Sequence, residues 1–446
     1  MTESEKILSR YSEKSFLKLW TYANPYTNRY KNKKEICDVL VVFGNHIVIF
    51  SDKALKYTEC EMAYPRWFNK AISKSAEQIY GAETTLKEYQ SNIFLDTKCT
   101  KKLPVDLPNT EDMIIHRVIT APQAKEGLKF KELIGGSGTF IVNPALKGKE
   151  EHLKSPFEVG QINPDKGYIH ILNETSLEIL MNELDTITDF IDYLQSKEKL
   201  ILSNNLFAAY GEEEILTAYL ENAHNLEFSE KNILIQEGIW SEHKVSKRYF
   251  LKKQENEISY FWDSIIEYFT KEMLSNNLVG QSKDNPLEME IALRFMASES
   301  RLHRRILSNG FIDRLNICKD GQILKRVTKT EDTSDKAYIF MACNQPRDML
   351  YDEYVKLREY KLYEYAIALK SKDKYLKNII GLARESFEIS NHTYSLIYFN
   401  CSDWDMNQQL EAEKICEDGR CFKSNILTKT YSEEQEYPEN KSRRGR

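Results

Sequence analysis

The stretch Glu35-Ile-Cys-Asp-Val-Leu-Val-Val-Phe-Gly-Asn-His-Ile-Val-Ile-Phe-Ser-Asp-Lys53 decides how this chain is read. Two apolar runs, 39–43 and 47–50, are too short for helices, rich in β-branched residues and separated by Gly44-Asn45, a two-residue hairpin turn. With that turn, Phe43 faces His46, and counting outward sets Asp38 opposite Ser51. Alternation along the strand puts Lys53 on the Ser51 face and turns Cys37 and Asp52 to the other. A carboxylate, a hydroxyl and an ammonium thus meet at the open end of an apolar hairpin.

The neighbourhood extends this unit. Residues 3–14 read as a helix, with Thr2 and Glu5 in capping-box relation, followed by a strand-like aromatic run over 16–22. After the hairpin, Trp67, Ala71, Ser75, Gln78 and Ala82 recur at helical spacing within 64–87, which predicts a helix crossing one face of the hairpin. Runs at 113–120, 139–142 and 168–172 read as strands extending the same sheet, and Thr175 with Glu178 as the cap of a helix reaching about residue 194.

Beyond residue 200 the pattern turns helical to about 315, with amphipathic segments led by Gly211-Glu-Glu-Glu214 and spanning 286–307. Strands at 337–342, 379–383 and 395–401 then alternate with helices at 346–369 and 403–416, before a polar tail over 431–446. The expected fold class is therefore α/β (α+β) in three parts: 1–200 around the hairpin sheet, a helical module over 201–320, and a small α/β domain over 321–446.

Composition bounds the function. The chain has 446 residues, 29% of them charged, and a formal net charge of −6. That balance excludes nucleic-acid binding by global charge and leaves it to local clusters at 29–34, 98–102, 244–253, 301–305 and 443–446, most of them expected on solvated faces. Arg29, Lys31, Lys33 and Lys34 lie just before the hairpin, where they would hold phosphates. No run approaches the length of a membrane span and the first residues show no signal pattern, so the expectation is a cytoplasmic protein without a membrane partner. Eight scattered cysteines fit reduced thiols, and no Cys/His cluster has zinc spacing.

Other motifs are weaker. Gly135-Gly-Ser-Gly138 lacks the Lys-Ser/Thr of a phosphate loop and reads as a turn, and Ser137 and Ser402 lack the setting of a hydrolase elbow. His46, His116 and His170 read as packed or edge histidines.

The order helix, strand, hairpin and Gln-bearing helix, with "CDVLVV…IVIFSDK" at its centre, resembles the PD-(D/E)xK nuclease superfamily, the restriction-endonuclease-like fold, over roughly the first 90 residues. The resemblance implies a mixed sheet flanked by helices and a metal-dependent DNA nuclease, with bacterial genome defence as a setting. It implies Mg²⁺ or Mn²⁺ as cofactor and DNA as substrate. Asp38, Asp52 and Glu13 are then the metal carboxylates, with Glu5 the alternative on the first helix. Lys53 serves the attacking water, and Ser51, Asp52 and Gln78 complete the site. A hard cation suits such carboxylates because it takes oxygen ligands and stabilises phosphate charge.

Ser51 departs from the pattern, which asks for an acid two residues before the lysine. Either Asp52 turns inward through a bulge, another carboxylate moves in, or the site is inactive. The last case is the alternative reading: a nuclease-like binding or regulatory protein in which Asp38 and Lys53 form a structural ion pair. Under either reading the C-terminal half is expected to bind a homodimer mate or a partner protein, or to sense a small molecule.

Overall fold

The computed structural model describes residues 3–29, 33–58, 62–124, 128, 138–275, 286–331, 334–389, 393–418, 421–422 and 435–438. The chain forms two compact units, Met1–Phe250 and Leu251–Arg446, so the helical stretch expected over 201–320 is divided between them.

The first unit is built on a five-stranded mixed sheet, order β1-β4-β5-β7-β10, comprising Thr21–Ala23, Val39–Phe43, His46–Asp52, Ile114–Thr120 and Ile169–Leu172. The hairpin β4–β5 has the expected register, Phe43 opposite His46 and Val39 opposite Phe50. Gly44, at φ 56°, supplies the positive φ that the first central turn position asks for. β5 then pairs parallel with β7, and β7 with β10. Strands buried on both faces need continuous apolar runs, which is why 39–43 and 47–50 carry no polar residue.

Helix α1 (Glu3–Phe16) lies on one face, where Phe16 stacks on Phe50 at 6.3 Å between ring centroids. Helix α2 (Ala63–Phe68) passes through a π-helical turn, Asn69–Ser73, into α3 (Lys74–Glu88). The side-chain contacts fix the faces: Asp52 meets α1 and its neighbour Ser51 meets α3, so the two helices cover opposite sides of the sheet.

The structure departs from the sequence reading at several points. Phe16 ends α1, Leu17 adopts φ 67°, and the strand begins only at Thr21. The strand read at 139–142 is Ile141–Lys147 (β8); it joins a second sheet, order β12-β11-β8-β9, instead of extending the hairpin's. Its partners are β9 (Glu158–Gln161) and β11 (Leu206–Ala209), and β12 (Ile233–Ile235) pairs beyond β11, so two strands fall in the stretch read as helical throughout.

The single helix read to residue 194 is two, α5 (Glu174–Glu183) and α6 (Ile187–Leu202), after a short α4 (Lys149–Lys154). Their caps are Asn173, in a capping box with Ser176, and Thr186, not Thr175. Helix α7 (Glu212–Glu221) buries Glu212, Glu213 and Glu214, and Glu212 pairs there with Lys197 at 2.5 Å. Thr2, Lys31, Cys60, residues 135–137 and nearly all of the tail 431–446 lie outside the described residues.

The second unit carries a four-stranded sheet, order β13-β14-β15-β16: Ile323–Thr328, Lys336–Cys343, Asn378–Arg384 and Tyr394–Asn400. The helix Tyr351–Lys372 crosses between the parallel pair β14–β15, and β13 is a strand the sequence reading lacked. Arg301 and Arg304, expected in a solvated cluster, are buried instead and hold Asp263 at 2.8 and 2.6 Å. Among the described residues all seven cysteines are free and no helix is long and apolar enough to cross a membrane.

Candidate active site

Asp38 and Asp52 are buried at the open end of the hairpin. The Asp52 backbone N–H donates to Asp38 Oδ2 at 2.7 Å, so one carboxylate is tied to the backbone bearing the other. Asp52 in turn accepts from Ser4 Oγ on α1 and Thr120 Oγ1 on β7, each at 2.5 Å. Thr120 is its level partner in the parallel ladder, which is why the two side chains share a face.

Burial dominates the electrostatics of both acids. It lifts Asp38 from the ordinary 3.8 to about 6, against the Asp52 N–H and Lys53, which lower it, and with Glu35 and Glu5, which raise it further. Asp52 is also raised, first by burial and then by Glu5, while the Ser4 and Thr120 hydroxyls and Lys53 oppose the shift. Two carboxylates that resist ionisation beside further acids, with one half-buried lysine as counter-charge, form an environment that a cation would relieve.

On the opposite face Ser51 Oγ donates to Gln78 Oε1 at 3.3 Å. Ser75, on the same side of α3 one turn earlier, buries an Oγ with no hydrogen-bond partner among the described residues. Both follow the π-helical turn 69–73, where an extra residue per turn resets which side chains face β5.

The structure thus ties the Asp38 carboxylate to the Asp52 backbone, with the Lys53 charge acting on both acids, and sets Ser51 against Gln78 on the face opposite the Asp52 side chain; Asp38, expected opposite Ser51, lies just outside the paired register and donates its N–H to the Phe50 carbonyl at 3.1 Å instead. Asp52 points to α1, as the alternation requires, and no bulge interrupts the β4–β5 register. Of the acids on the first helix it is Glu5, not Glu13, whose charge acts on Asp38 and Asp52; Glu13 accepts from Ser9 Oγ within its own helix. Ser4, Thr120 and Glu35 enter the site unanticipated, since hydroxyl partners 48 and 68 residues away in sequence leave no local signal.

The donors suit Mg²⁺ or Mn²⁺ in type. Such ions take one or two carboxylates and fill the remaining positions with water and substrate phosphate oxygens. Asp38 Oδ1 carries no protein hydrogen bond among the described residues. Among those residues, no three His, Cys, Asp or Glu side chains gather as a complete cage.

The histidines form a separate group. His46 Nδ1 lies 3.0 Å from His116 Nε2, burial pushes His116 down to about 3, and neither ring nitrogen of His170 has a hydrogen-bond partner among the described residues. This is the packed setting expected of them.

Comparison of the chain with protein-family models, curated proteins and solved structures gives no match.

Proposed function

We propose that the chain is a metal-dependent DNA nuclease hydrolysing phosphodiester bonds, with a PD-(D/E)xK-type site at the open end of β4–β5 and with genome defence as its setting. The observation that carries this reading is the coupling of Asp38 to Asp52 through one 2.7 Å hydrogen bond, with Lys53 and Glu5 acting on both.

Asp38 and Asp52 would hold the ion. When bound, it would supply positive charge against the scissile phosphate and lower the pKa of a coordinated water. Lys53, whose charge acts on both acids, would donate a hydrogen bond to a phosphate oxygen and steady charge developing there. Ser4 and Thr120 fix the orientation of Asp52, and Asp38 is fixed through Oδ2, so the acids are preorganised before any substrate arrives. The second unit is assigned regulation or partner binding.

The second reading, a nuclease-like binding protein without chemistry, draws on the fact that both Asp52 oxygens are already engaged by hydroxyls. Incubation of supercoiled plasmid, linear duplex and single strands with Mg²⁺ or Mn²⁺ separates the two. Cutting of any substrate supports the nuclease; a folded protein inert on all three leaves the binding reading.

A further inference from the structure

A small three-stranded sheet, β3-β2-β6, adjoins the acidic cluster: Lys34–Glu35, Tyr26–Thr27 and Ile93–Phe94. It is continuous with the site in sequence, because β3 ends three residues before Asp38. It is also continuous electrostatically, because Glu35 and Glu5 raise both Tyr26 and Asp38.

The sheet is extended by a bridge from Phe94 to Lys102, and the loop between them is held from inside by Asp96. That carboxylate accepts the backbone N–H groups of Lys98, Thr100 and Lys101, at 3.1, 2.9 and 2.6 Å, and the Thr100 hydroxyl. These donors, Lys101 first, bring Asp96 down to about 2, so the loop keeps its shape across the physiological pH range.

The lysine ammoniums are left outside this scaffold. Lys33, Lys34, Lys98, Lys101 and Lys102 are all exposed, and Lys33 Nζ reaches the Lys98 carbonyl at 2.5 Å, tying the two edges together. Arg29 lies over the Tyr89 ring at 3.7 Å and pairs with Glu88. Among the described residues of segments 26–35 and 87–106, seven cationic side chains face four acidic ones, on a chain whose net charge is −6. A local surplus of lysines on a rigid loop, against an acidic background, matches the spaced charges of a phosphodiester backbone.

We infer that the β3-β2-β6 sheet with its Asp96-held loop is a nucleic-acid-binding surface, on which Lys98, Lys101 and Lys102, with Lys33 and Lys34, contact backbone phosphates. The inference names the substrate-holding surface for the nuclease reading and rests on it. It adds the 98–102 loop to the lysines that precede the hairpin in sequence, a union that only the strand pairing reveals.

The test is fluorescence anisotropy of short labelled duplex and single-stranded DNA in EDTA, so that binding is read apart from cleavage. The probe is titrated across a salt series. Native protein is compared with Lys98→Gln/Lys101→Gln/Lys102→Gln and with a control, Lys147→Gln/Lys149→Gln/Lys154→Gln, in which equally exposed lysines of the same unit are neutralised.

The loop variant is expected to bind roughly 10- to 100-fold more weakly at low salt, and its salt slope to fall by about two to three, since each lost phosphate contact removes about 0.7–0.9. The control is expected to match native protein. If the loop variant fails to fold, Lys98→Gln and Lys102→Gln singly are each expected to lower the slope by about one.

Native affinity and slope in the folded loop variant, an equal loss in the control, or no binding by native protein would each overturn the inference. Asp38→Asn serves to keep the two ideas apart. Metal-dependent cutting lost in Asp38→Asn while the loop variant binds normally sinks this surface and spares the nuclease. Binding lost in the loop variant while no substrate is cut sinks the nuclease and spares the surface.

Discussion

Replacing Asp38 by Asn should make the metal-free protein more stable while abolishing its chemistry. Folding carries the Asp38 carboxyl from 3.8 to about 6, burial being the main cause. Above pH 6 the folded state therefore holds an ionised group that it disfavours by about 3 kcal/mol. Asn keeps an oxygen to accept the Asp52 N–H, but a neutral acceptor is weaker than a charged one, which returns about 1 kcal/mol. The net gain is about 2 kcal/mol at pH 8, or roughly 4–8 °C in the melting temperature of a unit of this size.

The sign with pH follows from proton counts. Between about pH 4 and 6 the folded protein binds more protons at Asp38 than the unfolded chain does, so the penalty is full above 6 and disappears toward 4. Calorimetric melts of native protein and Asp38→Asn in EDTA should show a gap that is widest at pH 8 and closes on acidification. Saturating Mg²⁺ should stabilise native protein alone, by about 1.4 kcal/mol when the free ion is at ten times its Kd. A variant no more stable than native protein at pH 8, or a gap independent of pH, would refute the electrostatic account of the site.

Three further outcomes are expected. Lys53→Met removes the cation that lowers both acids, so the Asp38 carboxyl midpoint followed by NMR should climb above 6; an unchanged midpoint would place Lys53 away from the pair. His116 is depressed to about 3 by burial, then by His46 and Arg117. The unfolded state thus takes up its proton first, costing about 2 kcal/mol between pH 6.5 and 5; His116→Gln should flatten the acid limb of urea midpoints in that window. In the second unit, the fully buried Arg358 holds Glu385 at 2.9 Å. Arg358→Met should cost about 3–5 kcal/mol by stranding that carboxylate, and adding Glu385→Gln should recover most of it in denaturant titrations.

The hairpin was legible because its information is local. An unbroken apolar run on each side of Gly44-Asn45 sets the register, and alternation along β5 sends Ser51 and Asp52 to opposite faces; the place of Asp38 was not legible, because its N–H turns to the Phe50 carbonyl just outside the paired residues. Gln78 shares helical spacing with Ser75 and Ala82 within α3, which points it at the sheet. The π-helical turn Asn69–Ser73 ahead of it was not readable, because no residue type specifies it.

Glu13 and Glu5 are equivalent candidates in the sequence because both lie on the same side of α1, two turns apart; which turn lies over the hairpin is set by where Phe16 packs on Phe50 and Phe190. The assignment of 141–147 to a second sheet depends on pairing with Glu158–Gln161 and Leu206–Ala209. Strand patterns announce an extended segment but not its partner. The Arg301 and Arg304 cluster read as solvated because Asp263, which neutralises it, lies some forty residues upstream.

The most direct test of the central claim is the rate at which native protein, Asp38→Asn and Lys53→Met nick supercoiled plasmid with Mn²⁺. The account predicts metal-dependent nicking by native protein and at least a hundredfold loss in each variant, with the Asp38→Asn protein melting at or above the native temperature in EDTA. Nicking by stable Asp38→Asn at the native rate would place the chemistry elsewhere in the chain and contradict the account.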